Sequence, residues 1–279
     1  MNKNIIWLAS YPKSGNTWFR SFLTALTTGT EVNLDKMNTD GIFSNKAILE
    51  KTLDLDADYL LPHQIEEYQR IVYNYLSQTA DKPKFIKIHD AFTFSNNTPL
   101  IPEEATKVAI YLIRNPLDVT LSLANHVGLN VDQTIEKYIT NPNGAFIKRK
   151  SSASTQFHQP LGSWNMHVES WLSKPKFPVH FVKYEDLKTK PFLVFSDALK
   201  AMGLTYSEEQ IRNAIAETEF EKLQKKEKEK GFKEKPIDSV AFFRKGNVGS
   251  WREELTKEQI QKIKTANEPM MKYFGYWED

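Results

Sequence analysis

Residues 5–26 read as one unit of strand, tight loop and helix, and few folds accommodate such a unit. Ile5 to Leu8 supply a short apolar run, the pattern of a buried strand. Pro12 and Gly15 break that run with a turn, and Asn16 and Thr17 open an amphipathic helix carrying Phe19, Phe22, Leu23 and Leu26. A loop placed between strand end and helix start aims several backbone N–H groups, and the positive end of the helix dipole, at one point. Lys13 adds a full positive charge there, and Ser14, Asn16 and Thr17 add side-chain donors. The segment is expected to hold an anionic phosphate group. It departs from the usual triphosphate loop, G-x-x-x-x-G-K-[ST], because Lys13 precedes the only glycine and Tyr11-Pro12 stands where the first glycine belongs.

Three further β-like runs follow, Lys84–Ile88, Val108–Ile113 and Val179–Lys183, separated by segments that look helical. That alternation predicts an α/β fold with a largely parallel central sheet flanked by helices. Ligands in such folds sit beyond the carboxyl ends of the strands. The runs end in the phosphate loop, His89, Arg114 and Tyr184, so these groups are expected to converge on one cleft. Thr27 to Asn45 is polar and turn-rich, and Asn141 to Gly162 reads as a long excursion of the kind used for lids and binding loops. Glu221 to Lys235 holds seven lysines and four glutamates and reads as a solvated helix with i,i+4 pairs, although it is locally basic. Lys257 to Tyr273 is expected to be a packing helix with Ile260, Ile263 and Met271 on one side.

At 279 residues the chain suits one large α/β domain, 1–279, or two small ones. A balance of 37 Lys+Arg against 35 Asp+Glu gives no general polyanion-binding surface, so no nucleic-acid partner is expected. The absence of cysteine excludes disulfides and thiolate metal sites and suits a reducing cytoplasm. Apolar runs such as Val108–Ile113 are far shorter than the roughly 18 residues a membrane span needs, and Met1 to Asn4 lead into the first strand without a signal-like stretch. The expectation is a cytoplasmic protein without a membrane partner.

Arg114-Asn-Pro-Leu-Asp-Val-Thr-Leu-Ser122 follows the third run. Pro116 suits the first turn of a helix, and Asp118 complements its dipole. The planar fork of Arg114 and the hydroxyl of Ser122 could both reach a phosphate, although an arginine before a helix also serves in surface ion pairs. Near the C-terminus, Phe243-Arg-Lys-Gly-Asn-Val-Gly-Ser-Trp-Arg252 places Arg244, Lys245 and Gly246 beside backbone donors, or else forms a plain basic turn. Taken with Tyr11-Pro-Lys-Ser-Gly-Asn-Thr-Trp18, these segments resemble, in order, the three signatures of the cytosolic-type sulfotransferases. Those enzymes use 3′-phosphoadenosine 5′-phosphosulfate (PAPS) as donor. Ser250 and Arg252 depart from the aspartate and lysine usual around that tryptophan.

The resemblance implies a P-loop NTPase-like sulfotransferase fold and a set of roles. Lys13, Ser14, Gly15, Asn16 and Thr17 would form the 5′-phosphosulfate loop. Arg114, Ser122, Arg244, Lys245 and Gly246 would hold the 3′-phosphate. Trp18, Tyr184, Thr218 and Phe220 would border adenine, with Thr218-Glu219-Phe220 departing from the family's Thr-Ser-Phe, although aromatic residues serve the core more often. His89, in Lys87-Ile-His89, matches the family's catalytic base, Lys87 would contact the sulfuryl group, Lys13 the bridging oxygen, and Ser122 would restrain Lys13. The other histidines are read as structural.

No metal is implied, and the acceptor is a small-molecule hydroxyl whose class stays open among phenols, steroid-like alcohols, lipids, sugars and peptide-borne hydroxyls. Thr27–Asn45, Leu60–Tyr75 and Asn141–Gly162 are expected to contact it, with Phe92, Phe94, Phe146 and Phe157 hinting at an apolar pocket. The family's Thr-Val-containing dimerisation motif is absent, which leaves a monomer or an atypical dimer. A P-loop small-molecule kinase using ATP and Mg²⁺, with Glu185-Asp186 after the fourth run, is the rival enzyme, and a non-catalytic adenylate-binding protein is the other rival.

Overall fold

The apolar runs pair side by side, because a strand buried on both faces satisfies its backbone only by pairing with other strands. In a computed structural model that describes residues 3–37, 39–146, 156–235, 241–244 and 246–278, β1 (Ile5–Ser10), β2 (Lys84–Ile88), β3 (Thr106–Ile113) and β4 (Val179–Lys183) form a parallel sheet in the order β2-β1-β3-β4. Register runs Ala9 against Ile88, Ser10 against Leu112, and Ile113 against Lys183, so the carboxyl ends lie level along one edge. Every residue of β1 is buried, as expected of a central strand. Two-residue ribbons, Phe94–Ser95 with Thr98–Pro99 and Ala145–Phe146 with Gln159–Pro160, were not foreseen.

Alternate side chains of the sheet enter two cores. One core takes Ile5, Trp7, Ala9, Ile86, Ile88 and Tyr111, together with Tyr73 from α2 (Pro62–Gln78), Trp164 and Trp171 from α4 (Trp164–Ser173), and Ile263 and Met271 from α9 (Lys257–Tyr273). The other takes Ile6, Leu8, Val108, Ile110 and Leu112, together with Phe19 and Phe22 from α1 (Asn16–Thr28), Phe195 from α6 (Pro191–Ala201), Ile211 from α7 (Glu208–Glu217) and Leu223 from α8 (Phe220–Lys230). This is the period-two alternation of a sheet sandwiched between helix layers. Helix α3 (Pro116–Val127) follows β3, with the Asn115 side chain accepting from the Leu117 N–H, and α5 (Tyr184–Thr189) follows β4.

The strand order decides where a ligand can sit. From β1 the chain moves to one neighbour, β2, and later returns to the other, β3, so the connections after β1 and β3 diverge around one crevice. Among the described residues no helix is long and apolar enough to cross a membrane.

Trp7 is wholly buried at the centre of this arrangement, donates its indole N–H to Thr106 Oγ1 at 2.8 Å, and meets Phe43 and Tyr73 edge-on. Trp7→Ala is expected to cost about 3–5 kcal/mol. A shift of the urea midpoint worth less than about 1 kcal/mol would show that this side chain does not anchor the sheet.

Candidate active site

The phosphate loop leaves β1 under two local constraints. Lys13 adopts a left-handed backbone (φ 70°) that a side chain rarely takes, and Gly15 adopts φ 100° ahead of α1. A Cβ on Gly15 would also lie 2.7 Å from the Tyr184 ring, so only glycine lets the loop close against β4's carboxyl end. Asn16 turns its amide inward, donating to Leu8 O at 2.8 Å and Ser10 Oγ at 3.2 Å. Its donor is therefore spent on the strand end and is not offered to a ligand.

The loop opens on a cleft of about 540 Å³. Lys13, Gly15, Asn16, Thr17, Trp18, Lys87, His89, Arg114, Ser122, Tyr184, Phe220, Arg244 and Gly246 all line it, from segments spread along the whole chain. Ser14 lies behind the lining, wholly buried. Thr218 is also wholly buried and donates its hydroxyl to Ala214 O at 2.8 Å, so it closes the end of α7 and does not face the cleft. Lys245 falls outside the described residues.

His89 is half-buried. Its Nδ1 lies 2.9 Å from the Ser10 carbonyl, which can only accept, so Nδ1 carries the proton and Nε2 is left with the lone pair. Burial, then the Lys87 charge, push the imidazole well below its ordinary pKa, so it is neutral near pH 7. His167 lies behind it, donating Nε2–H to His89 O at 2.9 Å and accepting from Tyr111 Oη at 2.7 Å, a structural role as expected. Lys13 is lowered to about 7, by burial first and then by Lys87 and Arg114, and its ammonium stands 3.8 Å from the Phe242 ring centre.

Arg114 is held on three sides. It donates to Lys13 O at 3.3 Å and Asn247 O at 2.9 Å, and its guanidinium stacks 4.3 Å from the centre of the Tyr184 ring. Tyr184 in turn donates to Gly246 O at 3.1 Å, and a Cβ on Gly246 would run into the Phe220 ring at 2.4 Å. The loop carrying Gly246 is thus drawn against the first two motifs. Its neighbours are tethered by carboxylates: Glu227 accepts from the Phe242 and Phe243 N–H groups at 2.6 and 2.8 Å, and Asp118 accepts from Gly249 and Trp251 at 2.8 and 3.3 Å.

Several lining residues escaped the sequence reading, among them Arg20, Asn125, His126, Glu234 and Phe242. His126 looked like any structural histidine. Glu234 looked like part of a solvated basic helix, but α8 ends at Lys230, and Gly231 with the buried Phe232 turns the chain back toward the cleft. That glycine–aromatic break was the available signal. The acceptor expectation fares unevenly. Of the four phenylalanines only Phe146 lines the cleft, while Phe92 is core, Phe94 is exposed, and Phe157 packs on a small cluster around Leu49 and Val72. No residue of Leu60–Tyr75 lines it, whereas Gly41, Ile42, Asn45, Gln156 and Gln159 do. Glu185 is spent on Asn115 N–H (3.0 Å) and Tyr276 Oη (2.8 Å), and neither it nor Asp186 lines the cleft, which removes the kinase reading's carboxylates.

The model of the sulfotransferase-domain family matches residues 3–275. The chain belongs to that family. It is 28% identical over 274 residues to flavonol 3-sulfotransferase of Flaveria bidentis, covering 93% of this chain and 79% of that one. It is 26% identical over 275 residues to cytosolic sulfotransferase 13 of Arabidopsis thaliana, covering 95% and 76%. Among solved structures, retinol dehydratase in complex with androsterone and PAP superposes with a TM-score of 0.62 at 21% identity, covering 98% of this chain and 82% of that one. A mouse sulfotransferase complexed with PAP superposes with a TM-score of 0.59 at 18% identity, covering 95% and 83%. The structural likenesses establish the fold, and the family and α/β architecture expected from the sequence are both borne out.

Asp118 is nearly fully buried and is the acceptor for two amides of the Gly249–Trp251 turn. Asp118→Ala would leave those donors unpaired at a cost of about 1–3 kcal/mol. Faster hydrogen exchange at Gly249 and Trp251 is expected, with a lower melting temperature. Unchanged exchange there would refute the tether.

Proposed function

We propose that the protein, acting as one domain over 1–279, transfers a sulfuryl group from PAPS to a hydroxyl of a small-molecule acceptor, with His89 as general base and no metal. The observation that carries this is the His89 tautomer. Its Nδ1 proton is committed to the Ser10 carbonyl, so an unprotonated Nε2 remains beside a cleft walled by the phosphate loop, Arg114 and Gly246. The family's solved neighbours bound to PAP support the donor, and flavonol, retinol and androsterone in the relatives' names support a small-molecule acceptor.

The residues present fit such a donor. Ser14 Oγ, Trp18 Nε1 and Arg114 Nε are buried and lack hydrogen-bond partners among the described residues, an arrangement whose cost a ligand's acceptors would relieve. The donor supplies the chemistry of a mixed anhydride, a sulfuryl group on a phosphate leaving group. In this reading His89 Nε2 takes the acceptor's hydroxyl proton as the acceptor oxygen bonds to sulfur and the sulfur–phosphate oxygen bond breaks. Lys13 meets the charge that builds on the departing oxygen, and Lys87 meets the sulfuryl oxygens. Ser122, which lines the same cleft, restrains Lys13 before the acceptor arrives. Arg114 and Arg244, with Gly246 and Lys245, hold the 3′-phosphate, and Trp18, Tyr184 and Phe220 enclose adenine. Ile42, Asn45, Phe146 and Gln156, which line the same cleft, border the acceptor in this reading.

PAP is expected to raise the melting temperature, whereas ATP with Mg²⁺ is not, and the reverse result would reject the donor. His89→Ala is expected to keep the PAP shift and lose at least ~10²-fold in kcat. Near-normal turnover would reject His89 as base. A base must be neutral to act, and the His89 pKa is lowered, so kcat/KM should hold as pH falls through 6.5 and drop only below it. An acid limb above 6.5 would contradict the assignment. Arg114→Ala is expected to raise the donor KM more than the acceptor KM. If the acceptor KM alone moved, the 3′-phosphate assignment would be wrong.

A further inference from the structure

Glu234 lies beyond the end of α8 and enters the cleft between two lysines, Lys233 and Lys235. Its Oε1 accepts from Arg20 Nη1 at 2.7 Å, and its Oε2 accepts from Lys87 Nζ at 3.0 Å. Arg20 is itself nearly buried on α1 and donates Nε to Thr39 Oγ1 at 3.3 Å, so the carboxylate is clamped from behind. The backbone of Lys87 is fixed as well, its N–H on Gly41 O at 3.0 Å and its carbonyl accepting from Phe43 N at 2.8 Å.

We propose that Glu234 is a positioning residue for sulfuryl transfer: clamped by Arg20, its carboxylate holds the Lys87 ammonium at the reacting end of the cleft in cationic form. The inference rests on the reading of Lys87 as the group that meets the sulfuryl oxygens. An ammonium carries three N–H donors. Committing one of them to Glu234 fixes the direction of the other two, which a free lysine on four rotatable bonds does not achieve.

The charges around Lys87 require such a partner. Arg20 from α1, Lys13 from the phosphate loop, His89 just past the end of the same strand and His126 from α3 all face it, and each is a cation or a base. Burial lowers the Lys87 pKa, Arg20 lowers it further, and Glu234 is the group that raises it. Burial pushes the Glu234 carboxyl up, but Lys87 and Arg20 more than offset this and hold it at about 2, so it stays ionised through the working range. The same carboxylate raises Lys13, His89 and His126.

The test compares two neutral substitutions whose effects have opposite sign. Glu234→Gln removes the group that favours the charged ammonium, so the alkaline limb of kcat/KM is expected to move to lower pH by about one unit. At neutral pH kcat is expected to fall at least about tenfold, while the donor KM stays level or falls, because a negative charge has left an anion site. Arg20→Gln removes a cation and leaves Glu234 to Lys87 alone, so the limb is expected to move to higher pH. A residue that only supports the fold would not produce opposed shifts.

PAP-induced stabilisation of the wild type and both variants separates the two levels of inference. No stabilisation of the wild type would overturn the donor reading and this proposal with it. Stabilisation of all three, with coincident alkaline limbs, would overturn the role of Glu234 alone. Should Glu234→Gln not fold, Arg20→Gln decides by itself, and an unmoved or lowered limb refutes the proposal.

Discussion

Lys13, Arg20, Lys87 and Arg114 crowd one cleft, and the rest of the molecule is arranged around making that concentration of positive charge tolerable. Cations gathered in a partly desolvated space repel one another and lose hydration, so each needs a compensating dipole, ring or carboxylate. Arg114 finds two carbonyls and the Tyr184 face, Lys13 finds the Phe242 face, and Arg20 and Lys87 share Glu234. The compensation is incomplete: the Lys13 pKa is lowered to about 7, and Ser14 Oγ and Arg114 Nε remain without partners among the described residues. An anionic ligand with several acceptor oxygens would offset this charge, and binding it would raise the Lys13 pKa and add stability.

The sheet order explains how residues more than a hundred positions apart share that space. Because β1 lies between β2 and β3, its loop stands beside both His89 at the end of β2 and Arg114 at the end of β3. Tyr184, at the end of β4, fills the gap that Gly15 leaves open. The loop through Gly246 is no part of the sheet, yet α3 and α8 hold it in place through Asp118, Glu227 and Gln224, the last donating to the Phe243 and Arg244 carbonyls at 2.7 and 3.0 Å. The carboxylates on these helices, Asp118 and Glu227, both accept from backbone N–H groups. They spend their charge on backbone donors and so fix the loop on which the cationic residues sit.

What was legible in the sequence follows from what each signal depends on. Flat apolar runs are local, and the strands appear as read, except that β1 extends to Ser10 and β3 begins at Thr106. The helix Lys257–Tyr273 likewise appears with the expected bounds, and Ile263 and Met271 are buried. Side-chain destinations are less local. Asn16 carries the right chemistry for a ligand but is closer to Leu8 O, and Thr218 sits in a matching motif but satisfies itself on Ala214. Glu234 was hidden among lysines, because charge alone does not say which residue of a basic run turns inward. That depends on Gly231 ending α8 and on Phe232 burying itself.

The two ends of the cleft are built to different standards. The end proposed for the donor rests on strand termini, long helices and a loop tethered from several directions, so its residues are over-determined and its motif is readable. The end proposed for the acceptor is bounded by Gly41, Ile42 and Asn45, a segment bonded to β2 through Lys87, and by the ribbon of Ala145–Phe146 with Gln159–Pro160, short pieces outside the central sheet. Loops of that kind change sequence at little cost to the fold, which is where specificity is usually written. In the proposed reading, a fixed charge trap beside an adaptable rim would let the same transfer chemistry be kept while the hydroxyl it serves is exchanged, and it is the reason phenylalanines counted along the chain were a poor guide to that rim.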